Sequence, residues 1–175
     1  MRINLYGGPC SGKSTLAASI YHKLKIENYS VELIREWIKQ WAYEGRKPKS
    51  FDQTFVFSNQ LYLEDTAIQS GIQHLVTDSP LLMQVCYAKR HKYELWKSLL
   101  KHVDAFENKF PSVNIFLDRT GIGYQEAGRY EDESDAIWMD GQMREFLDEH
   151  LQNYFVFPTT DFDNILSTVK GFIDA

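Results

Sequence analysis

Apolar positions along this chain fall into short runs separated by longer amphipathic stretches, the pattern of strands and helices taking turns. Ile3 to Tyr6 open the series, and residues 1–6 are expected to form a strand. Leu16, Ile20, Tyr21 and Leu24 follow at helical spacing, which predicts a helix over about 13–26 that ends at the turn formers Glu27-Asn28. Val31, Leu33 and Ile34 read as a second buried strand with Glu36 at its carboxyl end. A short helix carrying Trp37, Ile38 and Trp41 comes next and breaks over 45–50. A long amphipathic helix is predicted over 51–71, and a third strand over 73–77 delivers Asp78-Ser79-Pro80. Residues 93–110 are helical by pattern until Pro111 stops them. A fourth strand over 113–117 leads into Asp118-Arg119-Thr120-Gly121, then come a helix over 132–151, a short strand over 154–157 and a closing helix over 161–173.

Strands alternating with helices predict an α/β fold: a three-layer α/β/α arrangement around a parallel sheet. In such sheets ligands gather beyond the carboxyl ends of the strands, where Gly7, Glu36, Asp78 and Arg119 all lie.

The chain has 175 residues, 43% of them hydrophobic, enough for one well-buried domain over 1–175. Its formal charge of -5 argues against a broad grip on nucleic acid, which needs clustered Lys and Arg. Cys10 and Cys86 form no metal or disulfide pattern, in keeping with a reducing cytoplasm, or a host cytoplasm for a phage-encoded chain. No stretch approaches the roughly twenty apolar residues of a membrane span, and the opening strand leaves no leader pattern, so a soluble, unprocessed protein is expected.

The strongest local signal is Gly7-Gly8-Pro9-Cys10-Ser11-Gly12-Lys13-Ser14-Thr15, a complete G-x-x-x-x-G-K-[ST] phosphate loop between a predicted strand and a predicted helix. Its glycines let successive amides point inward, and the following helix adds the positive end of its dipole. In this scheme Lys13 reaches the β- and γ-phosphates and Ser14 is one ligand of a Mg2+ ion. Thr15 reads as an ordinary helix residue and Cys10 as a small loop residue. The alternative for the whole motif is a glycine-rich turn.

Asp78, at the end of His74-Leu75-Val76-Thr77, has the position of an acid that binds the Mg2+ shell; a helix cap or turn initiator is the other reading. Glu36 can accept a proton from a hydroxyl held in line with the γ-phosphate, against the reading of a solvated first-turn acid. The segment from Asp118 to Arg129 combines hinge glycines with arginines, so Arg119 and Arg129 are candidates for charge stabilisation from a lid over about 119–133. The alternative is a surface loop with solvated arginines. Trp37, Trp41, Tyr43, Phe55, Phe57, Tyr62, Asn59 and Gln60 offer flat faces and amides for a heterocycle, with Trp37 and Gln60 named as substrate candidates, although aromatics at this spacing also build cores. The five histidines show no ligand spacing.

Taken together, Gly7–Thr15, the strand from Val31 ending in Glu36, the Gln60 helix, Thr77-Asp78-Ser79-Pro80 and Leu117–Gly121 with Gly128-Arg129 resemble a small P-loop kinase. The resemblance is to the family containing the ribosylnicotinamide kinase domain and phage-type AAA ATPases, and more distantly to deoxynucleoside and thymidylate kinases. It implies a five-stranded sheet of order 2-3-1-4-5, ATP as donor, Mg2+, an acid matching Glu36 near the acceptor hydroxyl, and lid arginines. A kinase acting on a small nucleoside or nucleotide is therefore expected, and a homodimer stays open. An ATP-hydrolysing switch protein and a kinase of hydroxylated bases in DNA are the alternatives; the guanine-reading N-K-x-D pattern is absent.

Overall fold

The computed structural model describes residues 1–49, 51–124, 132–151 and 153–175. Five strands, β1 (Arg2–Tyr6), β2 (Val31–Ile34), β3 (His74–Thr77), β4 (Ser112–Asp118) and β5 (Phe155–Pro158), form one parallel sheet in the order β2-β3-β1-β4-β5. This is the order implied by the resemblance. β1 pairs with β3 on one side (Asn4 opposite Thr77) and with β4 on the other (Tyr6 opposite Phe116). The tips of β1, β3 and β4 therefore open at one rim.

Seven helices lie among the described residues: α1 (Lys13–Ile26), α2 (Lys39–Tyr43), α3 (Asp52–Gln69), α4 (Leu81–Arg90), α5 (Trp96–Lys109), α6 (Glu133–His150) and α7 (Phe162–Ile173). Alternation along the strands divides the core. Ile3 and Leu5 of β1, with Val113, Ile115 and Leu117 of β4, pack on Leu16, Ile20 and Leu24 of α1 and Ile165 and Val169 of α7. Tyr6 and Phe116 point the other way, onto α3, α4, α5 and α6 through Phe57, Leu82, Val103 and Met143. The central strands β1 and β4 are thus covered on both faces, whereas the edge strand β5 is mostly exposed.

α4 is the element that pattern reading does not predict. Every residue from Leu81 to Cys86 is buried, so its sequence shows no polar stripe. Pro80 sits directly before the first helical residue, where its fixed φ starts the helix without costing a hydrogen bond. The other elements end within a few residues of their expected bounds. Of the segment expected to form a lid over 119–133, residues 119–124 and 132–133 are described; Arg129 lies outside the described residues.

The amino end of the sheet carries a buried polar cluster far from the strand tips. Arg2 Nη1 contacts Glu64 Oε2 at 3.0 Å, its Nη2 contacts Glu107, its Nε donates to the Phe110 carbonyl at 3.0 Å, and its guanidinium lies over the Phe106 ring. Among the described residues no helix is long and apolar enough to cross a membrane.

Candidate active site

The loop between β1 and α1 turns sharply. Gly7, Cys10 and Gly12 take φ of 143°, 59° and 85°, values that favour glycine at the first and last of these positions. A side chain could not be added at Gly12 either, since a Cβ would stand 2.5 Å from Thr159 Cγ2. Lys13 Nζ folds back over the loop, donating to the carbonyls of Gly7 and Gly8 at 2.6 and 2.7 Å. α1 starts directly at Lys13, so its amino end faces the loop.

Contacts from distant residues hold this loop from outside. Gly8 N–H donates to Asp140 Oδ1 at 2.5 Å, and Arg119 Nε donates to the other oxygen of the same carboxylate. Arg119 Nη2 also donates to the carbonyls of Pro9 (3.0 Å) and Ala136 (3.1 Å). The Thr159 hydroxyl, just past β5, donates to the Ser11 carbonyl at 2.7 Å. Asp140 and Thr159 escaped the sequence reading because their part depends on contacts 132 and 148 residues apart in the chain, with no motif to announce them.

The neighbouring strand tips are joined as well. Glu36 N–H donates to Asp78 Oδ1 at 3.0 Å, and Trp37 N–H donates to Gln60 Oε1 at 3.1 Å. Asp78 is buried at the end of β3. A cavity of about 370 Å3 opens on these groups, lined by the loop from Pro9 to Thr15 together with Glu36 and Asp78. The structure therefore brings Pro9, Cys10, Ser11, Gly12, Lys13, Ser14, Thr15, Glu36 and Asp78 to one site.

Gly7 and Gly8 belong to the loop but do not line the cavity, and neither do the aromatic and amide candidates Trp41, Tyr43, Phe55, Phe57, Asn59 and Tyr62. Trp37 packs edge-on against Trp41 and Phe55 at ring distances of 5.4 and 5.1 Å, and Gln60 is fully buried beneath the β2 tip; neither lines the cavity. The Arg119 guanidinium is held by Asp140 and by the carbonyls of Pro9 and Ala136, and Arg119 is not part of the cavity lining.

Comparison with protein families matches residues 2–164 to the AAA domain. The chain belongs to the AAA domain family. That agrees with the resemblance read from its phosphate loop and strand-end acids. No curated protein matches this AAA-domain chain. Among solved structures, deoxyadenosine kinase from M. mycoides with dCMP and a flexible dCDP bound is similar in fold, with a TM-score of 0.59 at 18% identity over 99% of each chain. The same kinase with dATP bound gives a TM-score of 0.57 at 16% identity over 100% of both chains. The YorR protein from Bacillus subtilis, in complex with phosphorylated GDP, gives 0.60 at 20% identity over 99% of this chain and 96% of that one.

Within this AAA-domain site the donors suited to a metal are oxygens. The Ser14 hydroxyl and the Asp78 carboxylate line the same cavity, and no cluster of three or more His, Cys, Asp or Glu that could hold an ion occurs among the described residues. Two oxygen donors beside a phosphate loop fit Mg2+, which takes few protein ligands and keeps waters and nucleotide phosphates for the rest.

The cavity wall that the sequence did not reveal comes from α4. Met83, Gln84, Tyr87 and Arg90 line it at helical spacing, and His91 follows at the helix end. Desolvation, and after it the adjacent Arg90, lower the His91 imidazole from its ordinary pKa. Across from α4 stand Ile38, Lys39, Ala42, Lys47, Pro48 and Gln53.

Proposed function

We propose that this protein transfers the γ-phosphate of ATP to a small nucleoside- or nucleotide-type acceptor. The observation that carries the reading is the shared cavity, in which the phosphate loop and the Glu36 carboxylate face the same space of about 370 Å3. A volume of this order is that of a small-ligand site.

In this reading the loop amides and the start of α1 hold the phosphates, and Lys13 exchanges its loop carbonyls for β- and γ-phosphate oxygens. Ser14 and Asp78 would hold Mg2+, which would supply charge neutralisation for the phosphates. An acceptor oxygen forms a bond to the γ-phosphorus while the bond from that phosphorus to the β–γ bridging oxygen breaks, and ADP leaves. Where the attacking oxygen is a hydroxyl, Glu36 orients it and takes its proton. Arg119 holds the loop in register through Pro9 and Asp140, and serves the transferred group directly only by leaving those partners. Arg129 is proposed as the lid's cation. Nucleotide-bound structures of the same fold, deoxyadenosine kinase and YorR, support an acceptor of nucleoside type.

The test is product formation. Purified protein with ATP and Mg2+ is offered a panel of nucleosides, nucleoside monophosphates and nicotinamide riboside, and products are separated by mass. Acceptor-dependent ADP and one phosphorylated product are expected. ATP hydrolysis at one rate with and without every acceptor would instead indicate a switch protein.

A further inference from the structure

β5 is an edge strand and mostly exposed, yet the residue that follows it reaches the phosphate loop. The pairing of β4 with β5 runs to Asp118 opposite Pro158, and Thr159 N–H continues it by donating to the Asp118 carbonyl at 3.0 Å. The main chain of Thr159 is thereby fixed beside the loop. Its hydroxyl donates to the Ser11 carbonyl at 2.7 Å, with the Asp118 carbonyl at 3.1 Å as a longer alternative for the same hydrogen. A hydroxyl has one hydrogen to give, so the shorter bond is the principal one. The Thr159 methyl lies against Gly12, where a Cβ would stand 2.5 Å from it.

The bond to Ser11 sets more than a carbonyl. In a trans peptide the C=O of one residue and the N–H of the next point to opposite sides of one plane. The loop shows this between Gly7 and Gly8: the Gly7 carbonyl turns in to Lys13 Nζ, and the Gly8 N–H turns out to Asp140. Between Ser11 and Gly12 the order is reversed. The Ser11 carbonyl turns out to Thr159, so the Gly12 N–H turns in, toward the space where the loop would hold phosphate oxygens. Gly12 itself does not enforce this orientation. Its φ is 85°, and glycine accepts positive and negative φ alike, so this peptide is free to turn over unless something outside the loop holds it.

We infer that Thr159 is a positioning residue of the phosphate site: its hydroxyl holds the peptide between Ser11 and Gly12 with the N–H directed at the bound phosphates. The inference rests on the reading of the loop as a triphosphate site, and it is tested by binding, without turnover. Thr159 touches no reacting atom in this role; it acts through Gly12.

The test compares Thr159→Val, which keeps the branched shape and loses the hydroxyl, with Thr159→Ser, which keeps the hydroxyl and loses the methyl. Calorimetric titrations with inorganic triphosphate and Mg2+, and separately with ATP and Mg2+, are made on the folded parent and both variants. The Val variant is expected to bind both ligands about tenfold or more weakly, because a hydrogen bond to a charged phosphate is lost. The Ser variant should stay within about threefold of the parent. The Gly12 amide proton resonance gives a readout that a mere loss of stability does not move: triphosphate should shift it strongly in the parent and the Ser variant, and little in the Val variant. Thr160→Val, at the exposed neighbouring residue, is the control and should match the parent. The inference is overturned if the Val variant binds triphosphate as tightly as the parent, if the Ser variant loses as much as the Val variant, or if the Gly12 resonance responds alike in all three. A parent that binds no triphosphate overturns it together with the reading of the loop. A parent that binds triphosphate but phosphorylates no acceptor defeats only the phosphotransferase reading, and the comparison of Val with Ser still decides the role of Thr159.

Discussion

Glu36 and Asp78 are tied to each other, the main-chain N–H of one donating to the side-chain Oδ1 of the other at 3.0 Å. The tip of β2 is therefore set by the acid that ends β3. In the proposed site Asp78 has two tasks, to accept this hydrogen bond and to face Mg2+, and they separate by substitution. Asp78→Asn keeps an oxygen acceptor for the Glu36 amide but loses the charge; Asp78→Ala loses both. The expected result is an Asn variant that melts near the parent but loses Mg2+-dependent nucleotide binding. The Ala variant also loses about 1 kcal/mol of stability, a few degrees of melting temperature for a chain of this length. Equal melting of the two variants would remove the tie between the strands.

Glu36→Gln isolates the carboxylate from its position, since the amide N–H that reaches Asp78 belongs to the main chain. Nucleotide affinity should stay within a factor of about two, and transfer to a hydroxyl acceptor should fall roughly a hundredfold or more. Lys13→Ala should do the opposite, abolishing nucleotide binding in the same titration. Near-parental transfer by the Gln variant would show that the acid does not take the proton.

What could be read from sequence was what lies close together along the chain. The phosphate loop is nine consecutive residues whose geometry follows from two glycines and the helix after them, and the strand-end acids Glu36 and Asp78 follow from apolar runs that stop. The sheet order came from resemblance, and the register bears it out. α4 was missed because it is buried on both sides, by the core through Leu82 and Val85 and by the cavity through Met83 and Gln84, leaving no 3.6-residue alternation. The place of Arg119 depends on Asp140, and that of Trp37 on packing against Phe55 across the α2–α3 turn. Neither partner is announced by a local pattern.

Asp140 joins α6 to the phosphate loop, so disturbing that joint should act on nucleotide binding rather than on the acceptor. A Cβ at Gly8 would stand 2.7 Å from the Ala136 carbonyl oxygen and from Asp140 Oδ1, and the first of these is helix backbone that cannot turn aside. Gly8→Ala is expected to push α6 outward, costing about 1–3 kcal/mol of stability. Asp140→Asn retains the acceptor for Gly8 N–H and weakens only the bond to Arg119; it should raise the KM for ATP severalfold with little change in kcat. A fall in kcat at constant KM would place Arg119 on the transferred group instead.

The buried cluster at the amino end of the sheet makes stability depend on pH. One guanidinium, Arg2, faces two carboxylates, and Glu64 is fully buried with its Oε1 unpartnered among the described residues. Burial, only partly offset by Arg2, pushes the Glu64 carboxyl up from its ordinary 4.5 to about 7. Between those two values the folded protein holds a proton that the unfolded chain has released. Stability therefore falls as pH rises through that window and levels off above it. Glu64→Gln, uncharged at every pH and able to accept from Arg2, removes this term. Melting curves from pH 5 to pH 8 should show the parent losing several degrees relative to the Gln variant, the gap widening through pH 6 and 7. Parallel curves would mean that Glu64 is ionised throughout, with Arg2 neutralising both acids at once.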